Sequence, residues 1–120
     1  MKVLICDDDK CIVDEIKNNL NTFSDKHRIV FDIDLLYNGV ELLNSNISYD
    51  MAFIDIEMPL VNGLTLSAQL KKVNSNIIIF IITSHDAYLD DAMDLDVFRY
   101  LSKPIDNNRF FRALNTAINY

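Results

Sequence analysis

The chain has 120 residues, half of them hydrophobic and 24% charged, which suits one soluble domain with a real core. Eighteen acidic against 11 basic side chains give a net charge of −7, which argues against direct nucleic-acid contact by this domain, since phosphate binding needs clustered Lys and Arg. The longest apolar run, residues 77–82, is too short to cross a bilayer, and Met1-Lys2-Val3-Leu4-Ile5-Cys6 passes into three aspartates with no signal-peptide pattern, so a cytoplasmic protein without membrane contact is expected.

In chain order, residues 3–6 read as a first strand, followed by Asp7-Asp8-Asp9 with Asp9 as N-cap. Ile12, Ile16, Leu20 and Phe23 recur at helical spacing and predict a helix over about residues 10–23. Residues 28–37 alternate, with Phe31, Ile33 and Leu35 on one face and Asp32 and Asp34 on a wet one, which predicts a second strand. Asn38-Gly39 then turns the chain into a short helix carrying Val40, Leu42 and Leu43.

Met51-Ala52-Phe53-Ile54 is a short, wholly apolar run and reads as a buried strand, with Asp55 at its end and Pro59 and Gly63 shaping the loop beyond. Leu66, Leu70 and Val73 mark a third helix, and residues 77–82, Ile-Ile-Ile-Phe-Ile-Ile, a central strand ended by Thr83-Ser84. A fourth helix of about eight residues is expected around Ala87, Tyr88, Ala92 and Met93. Residues 98–101 form a last short strand, and Asp106 caps a fifth helix with Phe110, Phe111, Leu114, Ala117 and Ile118. Cys6 and Cys11 lack metal-ligand spacing; Cys6 is expected to be buried at a strand end and Cys11 to lie on the first helix.

Five alternating strand–helix units imply a mostly parallel sheet with helices on both faces. The first, third and fourth strands are apolar throughout, hence central, while Asp32, Asp34 and Arg99 mark the second and fifth as edges. That gives an α/β, flavodoxin-like (βα)5 doubly wound sheet of order 2-1-3-4-5.

In such a sheet the carboxyl ends of the strands open on one rim, which would gather Asp7, Asp8, Asp55, Thr83 and Lys103. Three close carboxylates repel and call for a cation; a hard divalent ion, Mg²⁺, is the natural partner. With Mg²⁺ and Lys103 the formal charge sums to zero, and a carboxylate beside a metal, a lysine and a hydroxyl is what phosphoryl transfer to aspartate requires.

Val3-Leu4-Ile5-Cys6-Asp7-Asp8-Asp9, Asp55-Ile56-Glu57-Met58-Pro59 with Gly63, Ile82-Thr83-Ser84 and Tyr100-Leu101-Ser102-Lys103-Pro104 together resemble the receiver domain of two-component response regulators, over essentially the whole chain. The resemblance implies that Asp55 is the phosphoacceptor for a sensor histidine kinase. It makes Asp7, Asp8, Asp55 and the Glu57 backbone carbonyl the Mg²⁺ ligands, Thr83 and Tyr100 the switch pair, and Lys103 the phosphoryl contact. Lys103-Pro104 is expected to be cis.

Residues 1–120 then form one receiver domain, a phosphoacceptor that assists its own chemistry and is otherwise not an enzyme. Asp55-Ile-Glu-Met-Pro, Thr83-Ser-His-Asp-Ala-Tyr88 and Phe98-Arg-Tyr-Leu-Ser-Lys-Pro-Ile105 are similar to the subfamily with a LytTR-type DNA-binding output. The alternative is a single-domain regulator acting through protein contacts. Asp90, Asp91 and Asp94, set against Arg99, Arg109 and Arg112, suggest a self-complementary face of the fourth helix, fifth strand and fifth helix, suited to a homodimer on phosphorylation.

Two other classes fit less well. A haloacid-dehalogenase-type phosphatase wants Asp-x-Asp-x-Thr/Val after the first strand, where Cys11 is out of place. A flavodoxin-like electron carrier needs a Ser/Thr/Gly-rich phosphate loop, and three aspartates there would repel a flavin phosphate.

Overall fold

Every residue of β3 (Met51–Ile54) is buried, because a strand flanks it on each side and side chains cover it on both faces. The computed structural model describes residues 1–43, 45–84 and 97–119. Around β3 lie β1 (Lys2–Cys6), β2 (Asp32–Leu36), β4 (Ile78–Thr83) and β5 (Arg99–Ser102), all parallel, in the order β2-β1-β3-β4-β5. The predicted order is therefore the observed one, with the strands bearing Asp32, Asp34 and Arg99 at the edges.

The two-residue period of the strands sorts the core into two halves. Val3, Ile5, Met51, Phe53, Phe80 and Ile82 face α1 (Lys10–His27) and α3 (Asn107–Ile118), which contribute Val13, Ile16, Leu20, Phe23, Phe110 and Leu114. Their alternates Leu4, Cys6, Ala52, Ile54, Ile79 and Ile81 pack with Leu66 and Leu70 of α2 (Gly63–Val73) and with Tyr49, Ile56 and Val61. Phe53 stacks on Phe80 at 4.7 Å and on Phe110 at 5.4 Å between ring centroids, tying β3, β4 and α3 together. α1, α2 and α3 each start on a side-chain cap: Asp9 accepts from the Cys11 N–H, Asn62 from Leu64, and Asp106 from Arg109.

Several boundaries differ from the sequence reading. α1 runs to His27, one polar turn past Phe23, and stops at Arg28, whose φ of 55° is left-handed. Apolar spacing could not find that turn because it has no buried face. The second strand consequently begins at Asp32, and Ile29 and Phe31 pack on the core without joining the strand. Its wet face is not wholly wet: Asp34 is half-buried and accepts a hydrogen bond from the Tyr49 hydroxyl at 2.7 Å. The short helix is a 3₁₀ turn, Val40–Leu42, in which only Leu42 is buried, too little to stabilise a longer helix. The fourth expected helix falls outside the described residues.

If the Phe53 stack joins the sheet to α3, Phe53→Ala should lose about 3–5 kcal/mol of stability. Urea unfolding of the two proteins measures it, and a loss below about 1 kcal/mol would show that the stack is dispensable.

Candidate functional site

The ladders of the sheet run one residue past the strands and set the acids in place. The Asp7 N–H donates to the Leu36 carbonyl at 3.1 Å, and the Asp55 N–H to the Cys6 carbonyl at 3.0 Å. Asp7 and Asp55 thus emerge side by side, 2% and 5% exposed. On the far side of β4, the Lys103 N–H donates to the Thr83 carbonyl at 3.0 Å, continuing the β4–β5 ladder. The Lys103 side chain then reaches back over the rim, its Nζ 2.9 Å from Asp7 Oδ2 and 3.3 Å from Asp55 Oδ2. Thr83 is fully buried, Asp8 is exposed, and the Lys103-Pro104 peptide is cis.

The loop after β3 is fitted against the same carboxylate. The Glu57 backbone N–H lies toward the Asp55 carboxylate and helps to hold its pKa down. Gly63, read from the sequence only as a loop former, begins α2 where a Cβ would lie 2.0 Å from the Asp55 carbonyl oxygen, so a side chain there has no room. Only glycine lets α2 come this close. Met58 was not anticipated; its sulfur accepts the Cys6 thiol at 3.6 Å, and nothing in the local sequence marks that contact.

Charge is unevenly balanced here. Burial pushes the Asp7 carboxyl up to about 6, against the pull of the Asp9 N–H and Lys103. Burial also raises Asp55, with Lys103 and the Glu57 N–H opposing it. Burial alone would lower Lys103, but its contacts with Asp7 and then Asp55 outweigh that and hold it above its usual value. Cys6 is pushed up to about 12 by burial and then by Asp7, Asp55 and Asp8, so its thiol stays neutral and unreactive.

This donor set suits a hard divalent cation. One carboxylate oxygen from each of Asp7, Asp8 and Asp55 lies within 4.8 Å of the others. An octahedral ion with ligands at about 2.0–2.1 Å needs somewhat shorter oxygen spacings, within reach of side-chain adjustment. Asp7 Oδ2, although buried, takes no aligned hydrogen bond and meets Lys103 only as a charge. Such an atom is ready to accept a further cation.

Of the other residues singled out from sequence, Tyr100 is half-buried on β5, paired in register with Ile81 and packed on the Ile79–Ile81 side of the core. Arg99, Arg109 and Arg112 line one groove of about 350 Å³ with Tyr100 and Thr116. Asp90, Asp91 and Asp94 lie outside the described residues.

The response regulator receiver domain model matches residues 3–115. The sensory transduction protein LytT of Bacillus anthracis is 31% identical over 114 residues, covering 95% of this chain and 46% of its own length. LytR of Staphylococcus haemolyticus is 30% identical over 115 residues, covering 96% of this chain and 44% of its own. The chain thus spans about half the length of the curated relatives it matches. A CheY-like receiver domain protein from Methanospirillum hungatei superposes with a TM-score of 0.80 at 18% identity, covering 98% of this chain and 93% of that one, a likeness of fold.

The Asp7 carboxyl has a signature in stability. Its native pKa of about 6 lies above the ordinary 3.8, so its contribution is full below 3.8 and is lost as pH rises through 6. In metal-free buffer, Asp7→Asn should therefore gain on wild type between pH 4 and pH 7.5, by up to about 3 kcal/mol. Urea unfolding at the two pH values tests this, and a difference that does not change with pH would refute the raised pKa.

Proposed function

The chain belongs to the response regulator receiver domain family, and from that premise we propose that Asp55 accepts a phosphoryl group from the phosphohistidine of a sensor histidine kinase. The observation that carries this reading is Lys103 Nζ, held between Asp7 Oδ2 and Asp55 Oδ2 in a buried pocket. Paired in this way, Asp55 can stay ionised despite burial, as a nucleophile must. An Asp55 oxygen attacks phosphorus, the P–N bond to the donor imidazole breaks, and an acyl phosphate remains. Lys103 stays in contact with the transferred group, and the Thr83 hydroxyl, at the end of β4, donates to one of its oxygens. The neutral Cys6 thiol offers no competing nucleophile.

Mg²⁺ would be held by Asp7, Asp8, Asp55 and the Glu57 backbone carbonyl, and when bound supplies positive charge against the phosphoryl oxygens. The domain assists its own phosphorylation and dephosphorylation and is otherwise a signalling module. As Thr83 moves toward the phosphate, Tyr100 on the paired strand turns inward, biasing an existing equilibrium of the β5 and α3 face. Residues 1–120 act as one cytoplasmic receiver domain without direct nucleic-acid contact; among the described residues no helix is long and apolar enough to cross a membrane. Relatives that include a transcriptional regulatory protein LytR support a LytTR-type DNA-binding output.

Acetyl phosphate with Mg²⁺ should add the mass of one phosphoryl group to the purified protein, and Asp55→Asn should abolish the addition. Undiminished labelling of that variant, read by intact mass spectrometry, would move the acceptor elsewhere.

The arginine groove supports a second expectation. Beryllofluoride with Mg²⁺ should promote a homodimer through Arg99, Arg109 and Arg112, facing Asp90, Asp91 and Asp94 of the second copy. Arg112→Glu should weaken this dimer and leave Asp55 labelling intact. Sedimentation showing a monomer under saturating beryllofluoride, or a dimer indifferent to the substitution, would exclude this face.

A further inference from the structure

Far from the acidic rim, α1 ends in a turn that the core does not use. The helix starts at the rim after Asp9, and 18 residues rising about 1.5 Å each carry it to the opposite end of the sheet. Past the buried Phe23 its last turn holds Lys26 and His27, both exposed. There α1 and α3 leave between them a groove of about 400 Å³, a volume typical of small-ligand sites.

The two helices furnish this groove in matching pairs. From α1 come Lys26 and the adjacent His27, whose ring stacks on Phe23 at 4.0 Å between centroids and keeps one face for the groove. From α3 come Arg112 and the adjacent Phe111, a half-buried ring met edge-on by Phe110 at 5.8 Å. One ring and one cation thus line the groove from each side.

Neither cation has a partner within the fold. Among the described residues Lys26 and Arg112 make no ion pair, although the chain carries a net charge of −7. Lys26 offsets the negative end of α1, but Arg112 stands inside α3, where no helix end calls for it. Asn115 adds a donor, because its Oδ1 accepts from Asn119 while its own amide N–H groups are unengaged among the described residues.

Such a lining selects for both halves of a ligand. Ring faces ask for a flat aromatic body, and two cations with an amide donor ask for an oxygen-rich anionic group. We propose that the groove between α1 and α3 binds a small planar aromatic anion, its ring against His27 and Phe111 and its acidic group between Lys26 and Arg112. The site lies at the far end of α1 from Asp55, so it stands or falls independently of the phosphoryl chemistry.

Two probes carry both features, AMP and indoleacetate, and two carry one each, adenosine and inorganic phosphate. Amide NMR spectra of the full chain in Mg²⁺-free buffer follow each titration. AMP or indoleacetate should bind with a Kd of about 1 mM or below and shift the amides of residues 22–27 and 111–115. Adenosine and phosphate should each bind roughly tenfold more weakly, or less. Lys26→Glu reverses an exposed charge and should weaken binding by roughly tenfold, with the spectrum unchanged away from the groove. Phe111→Leu keeps apolar bulk but removes the ring, and should weaken binding by roughly fivefold.

Tighter binding of AMP would identify the acidic group as a phosphate monoester, and tighter binding of indoleacetate as a carboxylate; either result supports the site. Silence of both probes at these amides would overturn the proposal. So would shifts confined to other parts of the chain, adenosine binding as tightly as AMP, or binding indifferent to Lys26→Glu and Phe111→Leu.

Discussion

The ammonium of Lys103, shared between Asp7 and Asp55 at 2.9 and 3.3 Å, is the contact on which the rim depends. Two carboxylates under 6% exposed cannot both stay ionised beside each other without a cation, since burial and like charge both favour the protonated form. One lysine is not enough. Asp7 remains raised to about 6 with Lys103 in place, and the formal sum over Asp7, Asp8, Asp55 and Lys103 is −2. The deficit equals the charge of one divalent ion, and the buried Asp7 Oδ2, without an aligned donor, is where that deficit is most local.

A pocket so charged needs a frame that does not relax away from the repulsion. The frame is the ladder: Asp7 and Asp55 are bonded through their backbone N–H groups to the strands beside them, and Lys103 in the same way to Thr83. Spreading the carboxylates would break main-chain hydrogen bonds in a sheet packed on both faces. Gly63 adds a second restraint by letting α2 close on the Asp55 carbonyl, so the residue is held from the strand before it and the helix after it.

Much of this was legible in the sequence, for physical reasons that also explain where reading stopped. Strand order followed from which strands carry charge, because a central strand has no wet side for Asp32 or Arg99. The convergence of Asp7, Asp8, Asp55 and Lys103 followed from topology, since parallel strands share a rim. Elements without a buried face were not legible: the last turn of α1 has no apolar residue to mark it, and the partnership of Tyr49 with Asp34 joins residues 15 apart that no local pattern links. The closeness of Gly63 to Asp55 and the left-handed backbone of Leu60 are properties of how one loop closes, and a leucine in the sequence gives no sign of a positive φ.

The strands differ in how firmly they are held, and this bears on how a change at the rim could spread. β3 and β4 are enclosed, whereas β5 is an edge strand, with Tyr100 and Leu101 only half-buried and Arg99 and Ser102 exposed. A closely packed core resists small displacements, so strain arising at Asp55 is not absorbed within β3. Under the proposed switch it would pass to β5, which among the described residues pairs with one strand only and is joined to β4 in register at Ile81–Tyr100 and Thr83–Ser102. Lys103 follows directly from that strand, so the group that touches the carboxylates and the edge strand are consecutive in the chain. The arginine groove on β5 and α3 lies where such movement would emerge, which makes an edge strand the most economical carrier between a rigid acidic rim and a basic outer face.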